Sequence, residues 1–331
     1  MHNVLLSSVG RRVELVRAFR RAYEKLGMDG NIVGTDCDWL APAIQEVDVP
    51  QLVPRFADDG FIPTLIKICE QQSISVIFPL NDGELAYLSK HADAIEATGA
   101  QIAVLAPEAI EICDDKWLTH KFFSDLGLPR AHSWLPEQGR PTELKFPLFI
   151  KPRDGSAGES TFRINTSSEL DFFESYVPNP IIQQFLAGPE ITSDVVCGLN
   201  GEVLSIVSRQ RIAVRGGEAI KSVTIQDKRI EQACHEIAAR LPAKGPITVQ
   251  CMMHDEIPHF VEVNARLGGG VPLAMAAGVD VPALLLSDVA GLSPEGLERT
   301  PRLGVYMTRC DESFFLTEAT REQSTGGRLR S

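Results

Sequence analysis

No Gly-x-Gly-x-x-Gly run follows the first apolar segment of this 331-residue sequence, and no Gly-Lys-Ser/Thr closes any of its glycine-containing loops. A dinucleotide fingerprint and a Walker loop are both excluded. Cysteine is sparse and unpatterned: the seven residues are odd in number, scattered from Cys37 to Cys310, and include no Cys-x-x-Cys pair. They read as reduced thiols in a cytoplasmic protein. The seven histidines show no His-x-x-x-His spacing, which removes the usual zinc signature. No block of consecutive basic residues occurs, and 44 Asp plus Glu outweigh 32 Lys plus Arg for a formal net charge of −12. Nucleic acid is therefore not an expected partner, because phosphate binding needs a clustered positive field. No window approaches the roughly 18 apolar residues of a membrane helix. The apolar opening, residues 1–10, runs straight into Arg11 and Arg12 and reads as a first strand rather than a signal peptide.

What is present is an ordinary apolar content of 44%, enough for two or three packed domains. Residues 3–9 suit a buried parallel strand, and residues 11–26 carry Val13, Val16, Phe19, Tyr23 and Leu26 at helical spacing. Strand and helix signals keep alternating through 31–36, 61–72, 75–80, 82–97 and 101–106. That order predicts a doubly wound parallel α/β sheet over about the first 110 residues. Ser7, Ser8, Gly10 and Arg11 follow the first strand, where such sheets bind ligands.

Beyond residue 113 the pattern changes. Residues 114–126 are amphipathic and stopped by Gly127 and Pro129. Strands at 146–151 and 161–164 flank the loop 152–160, and Thr166 with Glu169 has capping-box spacing ahead of a helix over 167–177. Further strands are expected at 181–186, 191–199 and 202–209, the last two joined by the hairpin signal Asn200-Gly201. This half is α+β with antiparallel hairpins. A polar tail begins near residue 317 and has the composition of a disordered segment.

Three stretches in this half carry chemistry. Residues 247–270 read as a hairpin in which Glu262, Asn264 and Arg266 share one face, with Gln250 opposite on the partner strand. A carboxylate and two amides are hard oxygen donors suited to Mg²⁺, and an arginine beyond them supplies a fixed cation for phosphoryl or carboxylate oxygens. The run Gly268-Gly269-Gly270 that follows allows close backbone approach. Lys151 ends a strand ahead of a loop of small residues, Gly155, Ser156, Ala157 and Gly158, whose amides could fold over phosphates. Gln184, Phe185 and Leu186 end another strand, with Glu190 four residues on, as an adenine hinge and a ribose-binding acid would. Each has a plainer explanation when taken alone: the wet face of a sheet, a turn, and a strand end with a surface acid. The charged stretch 208–221, around Gly216-Gly217, suggests that Arg211 reads the acid substrate or phosphate, with a solvated charge run as the alternative.

Lys116, Lys151, the small-residue loop, the hinge with Glu190, Gln250, Glu262, Asn264 and Arg266 occur in an order that resembles the ATP-grasp superfamily, and within it the large chain of carbamoyl phosphate synthase. The resemblance spans nearly the whole sequence. It implies a pre-ATP-grasp domain over 1–113, an ATP-grasp N-terminal subdomain over 114–182, a C-terminal subdomain over 183–316, and the tail 317–331. It also implies that Lys116 and Lys151 contact the phosphates of ATP, that the loop 153–160 closes over them, and that Gln184, Phe185 and Leu186 meet adenine while Glu190 binds ribose. Gln250, Glu262 and Asn264 would hold one or two Mg²⁺, with Mn²⁺ as the alternative ion, and Arg266 would steady the transferring phosphoryl group.

This sequence departs from the pattern at Glu159-Ser160, where relatives commonly carry a further glycine, and at Gln184, where they commonly carry Glu. It is also too short for a complete carbamoyl phosphate synthase. The expected activity is ligation of a small carboxylic acid to a small amine, or less readily a thiol, through an acyl phosphate. The rivals are an ATP-binding regulatory protein with little turnover and a nicotinamide-dependent oxidoreductase. A homodimer is the commonest assembly for such an enzyme.

Overall fold

The computed structural model describes residues 1–155, 158 and 160–318; Ser156, Ala157 and the tail from 319 onwards, all singled out above, lie outside the described residues. The first sheet has the order β3-β2-β1-β4-β5 and is parallel throughout: β1 Asn3–Ser7, β2 Ile32–Asp36, β3 Val49–Leu52, β4 Ile74–Pro79 and β5 Gln101–Ile102. Its strands are apolar on both faces because helices cover both. Val4 and Leu6 pack with Phe19 of the helix Val13–Leu26, while Leu5 points the other way into a cluster with Phe61 and Leu65 of the helix Phe61–Gln72.

A four-stranded antiparallel sheet follows, with β6 Ser133–Trp134, β7 Leu148–Pro152, β8 Phe162–Ile164 and β9 Pro180–Gln184 in the order β6-β9-β7-β8. It keeps a small core of its own around Trp134, Leu148, Ile150 and Leu170. The third sheet is antiparallel, in the order β14-β13-β10-β11-β12-β15: β10 Glu190–Cys197, β11 Val203–Arg215, β12 Glu218–Thr224, β13 Ile247–His254, β14 Ile257–Asn264 and β15 Tyr306–Thr308. Its inner residues Ile191, Val195, Val249 and Cys251 belong to the same apolar cluster as Leu5 and Ile77 of the first sheet. The first and third sheets therefore share one core, and the middle sheet stands apart from it. Among the described residues no helix is long and apolar enough to cross a membrane.

The sequence-based expectations are corrected at several points. The edge strand β3 was not expected, because Pro50 interrupts it; an edge strand tolerates the missing N–H. The helix expected over 82–97 breaks at His91 into Asp82–Lys90 and Ala92–Glu96. A separate helix, Pro107–Asp114, precedes Lys116–Asp125, whose N-terminus is capped by the Asp115 carboxylate on the amides of Trp117 and Leu118. Thr166 caps its helix through the Glu169 amide, but the Glu169 carboxylate turns back to Asn165 rather than closing a capping box. Strand β9 runs through residues 182 and 183, where a subdomain boundary was expected. β11 extends six residues past Arg209 and carries the chain to the rim of a cleft.

Candidate active site

The site is built on the β13–β14 hairpin. Its turn, Asp255-Glu256, holds two residues at positive φ, and the ladder pairs Gln250 with Glu262 and Thr248 with Asn264. Register shifts next to this pair: Cys251 faces Phe260, which leaves Val261 as the extra residue of a bulge. The bulge has a consequence that strict alternation hides. Phe260 has the same parity as Glu262, yet it is buried against Phe123, whereas Glu262 lines the cleft. Gln250, Glu262 and Asn264 all line one cleft of about 660 Å³, and none of their side chains has a hydrogen bond or ion pair among the described residues. Three unpartnered oxygen-bearing side chains on one wall form a donor set that fits a hard divalent cation. No group of three His, Cys, Asp or Glu gathers among the described residues, as follows when two of the donors are amides.

Lys116 and Lys151 line the same cleft. Lys151 pairs with Ile181 one residue before the end of β7; burial pulls its ammonium down to about 8, with Lys116 adding to the shift and Glu262 opposing it. Burial also lowers Lys116, again against Glu262. The two cations thus share one low-dielectric space with the hairpin carboxylate, a setting in which a polyanion restores them to full charge. Lys116 also donates to the carbonyls of Gly155 at 2.7 Å and Arg153 at 3.3 Å, and Arg153 grips Asp115 through two contacts, at 2.5 and 3.2 Å. The loop after β7 is therefore fastened at its root to the start of the helix that carries Lys116.

At the hinge, the amide of Gln184 bonds to His132 and that of Phe185 to Pro147, which leaves Leu186 as the hinge residue whose amide has no such partner among the described residues. Phe185 lies against Phe149, with the Arg163 guanidinium 4.6 Å above its ring. Glu190 lines the cleft and accepts a hydrogen bond of 2.6 Å from Arg211, which also reaches the Gly217 carbonyl. Arg211 is thus tied to the residue expected to bind ribose as well as facing the inner end of the cleft.

Arg266 lines the cleft two residues beyond Asn264 and is held by Asp82, 2.7 Å away, from the first domain. Two glycines of the run, Gly268 and Gly270, are required by neighbouring buried side chains. A Cβ on Gly270 would fall 1.9 Å from Arg209 Nη1 and 2.1 Å from Asp194 Oδ2, and one on Gly268 would fall 2.3 Å from Asp194 Oδ1. These glycines admit the buried Arg209–Asp194 ion pair, not a ligand. Gly216 and Gly217 likewise serve the β11–β12 turn, both at positive φ. Ser7 and Ser8 both donate to buried Glu84, and the Gly10 amide to Asp36, so the end of the first strand is internally satisfied.

Sequence reasoning missed Arg12, Asp82 and Arg309, which meet Glu218 of the charged stretch only through the fold. Arg12 lies next to Arg11, after the first strand, and its position there was the one available signal.

With this geometry in hand, residues 4–103 match the family described as PylC-like, N-terminal domain, and residues 177–311 match ATP-grasp in the biosynthetic pathway with Ter operon. The chain thus carries a PylC-like N-terminal domain over residues 4–103 and an ATP-grasp region over residues 177–311. It is similar to the arginine-specific large chain of carbamoyl phosphate synthase from Bacillus subtilis (strain 168), 23% identical over 253 residues that cover 70% of this chain and 24% of that protein. The 3-methyl-D-ornithine–L-lysine ligase of Methanosarcina barkeri (strain Fusaro / DSM 804) is 23% identical over 243 residues, covering 71% of this chain and 63% of that one. The chain therefore spans less than two thirds of the length of either relative. The crystal structure of L-amino acid ligase from Bacillus licheniformis superposes with a TM-score of 0.65 at 18% identity, over 90% of this chain and 78% of that one.

Proposed function

We propose that the protein is an ATP- and magnesium-dependent ligase that joins a carboxylic acid to an amine through an acyl phosphate. The observation that carries this reading is the facing of Gln250, Glu262 and Asn264, all without partners among the described residues, to Lys116 and Lys151 across one cleft. ATP lies with adenine between the hinge at Gln184, Phe185 and Leu186 and the rings beside it, its ribose near Glu190, and its phosphates between the lysines and the loop 153–160. Gln250, Glu262 and Asn264 would hold Mg²⁺, or Mn²⁺ in its place, and that ion would supply charge neutralisation at the phosphates. A carboxylate oxygen of the acid attacks the γ-phosphorus, the bond to the β-phosphate oxygen breaks, and ADP leaves. The amine lone pair then attacks the acyl carbon, the C–O bond to phosphate breaks, and the amine proton passes to solvent or to the departing phosphate. Lys151 and Arg266 act by positioning and by countering charge on the transferring group, the usual basis of phosphoryl-transfer catalysis. The names of two similar proteins, each a ligase acting on amino acids, favour an amine over a thiol as the acceptor.

The test is a screen of small acids and amines for Mg²⁺-dependent ADP release. Acid-dependent release that rises further when an amine is added supports the ligase. ATP binding with no release above background across a broad panel would sink it in favour of a regulatory protein.

A further inference from the structure

At the inner end of the cleft lies a second and much smaller cavity of about 70 Å³, and Gln250 and Asn264 line both. Five arginines line it, Arg12, Arg209, Arg211, Arg266 and Arg309, against a single carboxylate, Glu218. They come from all parts of the chain: the start of the first helix, β11, the end of the hairpin, and the segment after β15. Of the acids that pair with them, only Glu218, 3.4 Å from Arg309 Nη1, lines this cavity. Asp194 holds Arg209, Glu190 holds Arg211 at 2.6 Å, Asp82 holds Arg266 at 2.7 Å, and Glu14 approaches Arg309 at 3.7 Å. Each of these carboxylates occupies only part of a guanidinium fork, whose five N–H donors suit planar anions.

Arg12 differs from the rest. Its side chain has no hydrogen bond or ion pair among the described residues, and burial, followed by the nearby charge of Arg266, lowers it to about 10, so it still carries its charge at neutral pH. The position that a Cβ on Gly269 would take lies 3.1 Å from Arg12 Nη1 and 3.7 Å from Arg309 Nη1, so two guanidinium groups meet above this glycine, and Arg309 also donates through Nη2 to the Gly269 carbonyl. The volume admits one small anionic group and nothing the size of a nucleotide. Arg12, Arg211 and Arg266 also line the main cleft, whereas Arg209 and Arg309 face the small cavity alone. One carboxylate awaiting phosphorylation at the mouth, beside Arg266 and Asn264, leaves the deeper pair unused.

From this arrangement we infer that the acid substrate carries two anionic groups: a carboxylate that reacts at the mouth beside Arg266, and a second carboxylate or phosphate seated over Gly269 between Arg12 and Arg309. This rests on the ligase reading and narrows its substrate class to dianionic acids.

The test uses the full chain saturated with magnesium and a non-hydrolysable ATP analogue. Binding is measured calorimetrically for matched probes: butyrate against succinate, alanine against aspartate, serine against phosphoserine, and inorganic phosphate alone. The expected result is that at least one dianionic probe binds ~10-fold or more tightly than its singly charged counterpart, as charge-assisted contacts predict. Inorganic phosphate should compete with that probe. Arg12→Gln and Arg309→Gln should each remove most of the preference, bringing the two members of the pair to similar affinity. Equal binding within every pair, including no binding of any probe, overturns the inference, as does phosphate binding without any preference among the acids. Those results require no variant to fold. Failure of the ATP analogue itself to bind would instead strike at the ligase reading, so the two failures are distinguishable.

Discussion

Glu262 is the only carboxylate among the three proposed cation donors of the hairpin, and Gln250 and Asn264 are neutral. Glu262→Gln would keep the size of the side chain while removing the charge that draws in the metal. ADP release should fall at least ~100-fold, with an unchanged circular dichroism spectrum, as losses of preorganised charge stabilisation commonly do. Lys151 supplies the pH dependence. Its ammonium, lowered to about 8 by burial, is protonated below that value and neutral above it. A triphosphate favours the charged form, so affinity for MgATP should be full below pH 8 and weaken as the pH rises through it. Near pH 8, binding should take up protons, visible as calorimetric heats that depend on the ionisation enthalpy of the buffer. Lys151→Met should bind more weakly and lose this proton uptake. Arg211 is tied to Glu190, so Arg211→Ala should weaken nucleotide as well as acid binding, not acid binding alone as the sequence suggested.

At the level of elements, the hairpin and the glycine run illustrate two ways in which packing redirects a pattern. Alternation by itself would send Phe260 to the same face as Glu262; the bulge at Val261 turns the aromatic ring into the core and keeps the carboxylate in the cleft. Deleting Val261 should therefore be tolerated better in denaturant unfolding than deleting the paired Val263, since Phe260 and Glu262 would then alternate directly and keep the faces that the bulge gives them. The glycines at 268 and 270 are fixed by the buried Arg209–Asp194 pair. Gly270→Ala should cost about 3 kcal/mol or more in denaturant unfolding, because the methyl group can be admitted only by parting a desolvated ion pair. A loss below ~1 kcal/mol would mean that the pair can shift at little cost.

Across the whole molecule, the first and third sheets share one apolar core, while the middle sheet has its own. Asp82 reaches from the first domain to Arg266 in the third sheet's hairpin, so the inner end of the cleft exists only when both are assembled. Two of the seven thiols, Cys37 and Cys310, are exposed and five are buried. Native protein should therefore react with a thiol reagent at two positions quickly and reach seven only after unfolding.

The parallel sheet, the hairpins, and the order of lysines, amides and carboxylate were legible in the sequence, because periods of 2 and 3.6 and turn chemistry are local properties that the residues carry with them. The bulge at Val261, the true occupants of the space above Gly268 and Gly270, and the convergence of Arg12, Arg209 and Arg309 were not. These depend on contacts between residues up to 297 positions apart in a 331-residue chain. No local pattern records which distant guanidinium will stand over which glycine; only the packing of the sheets against one another decides it.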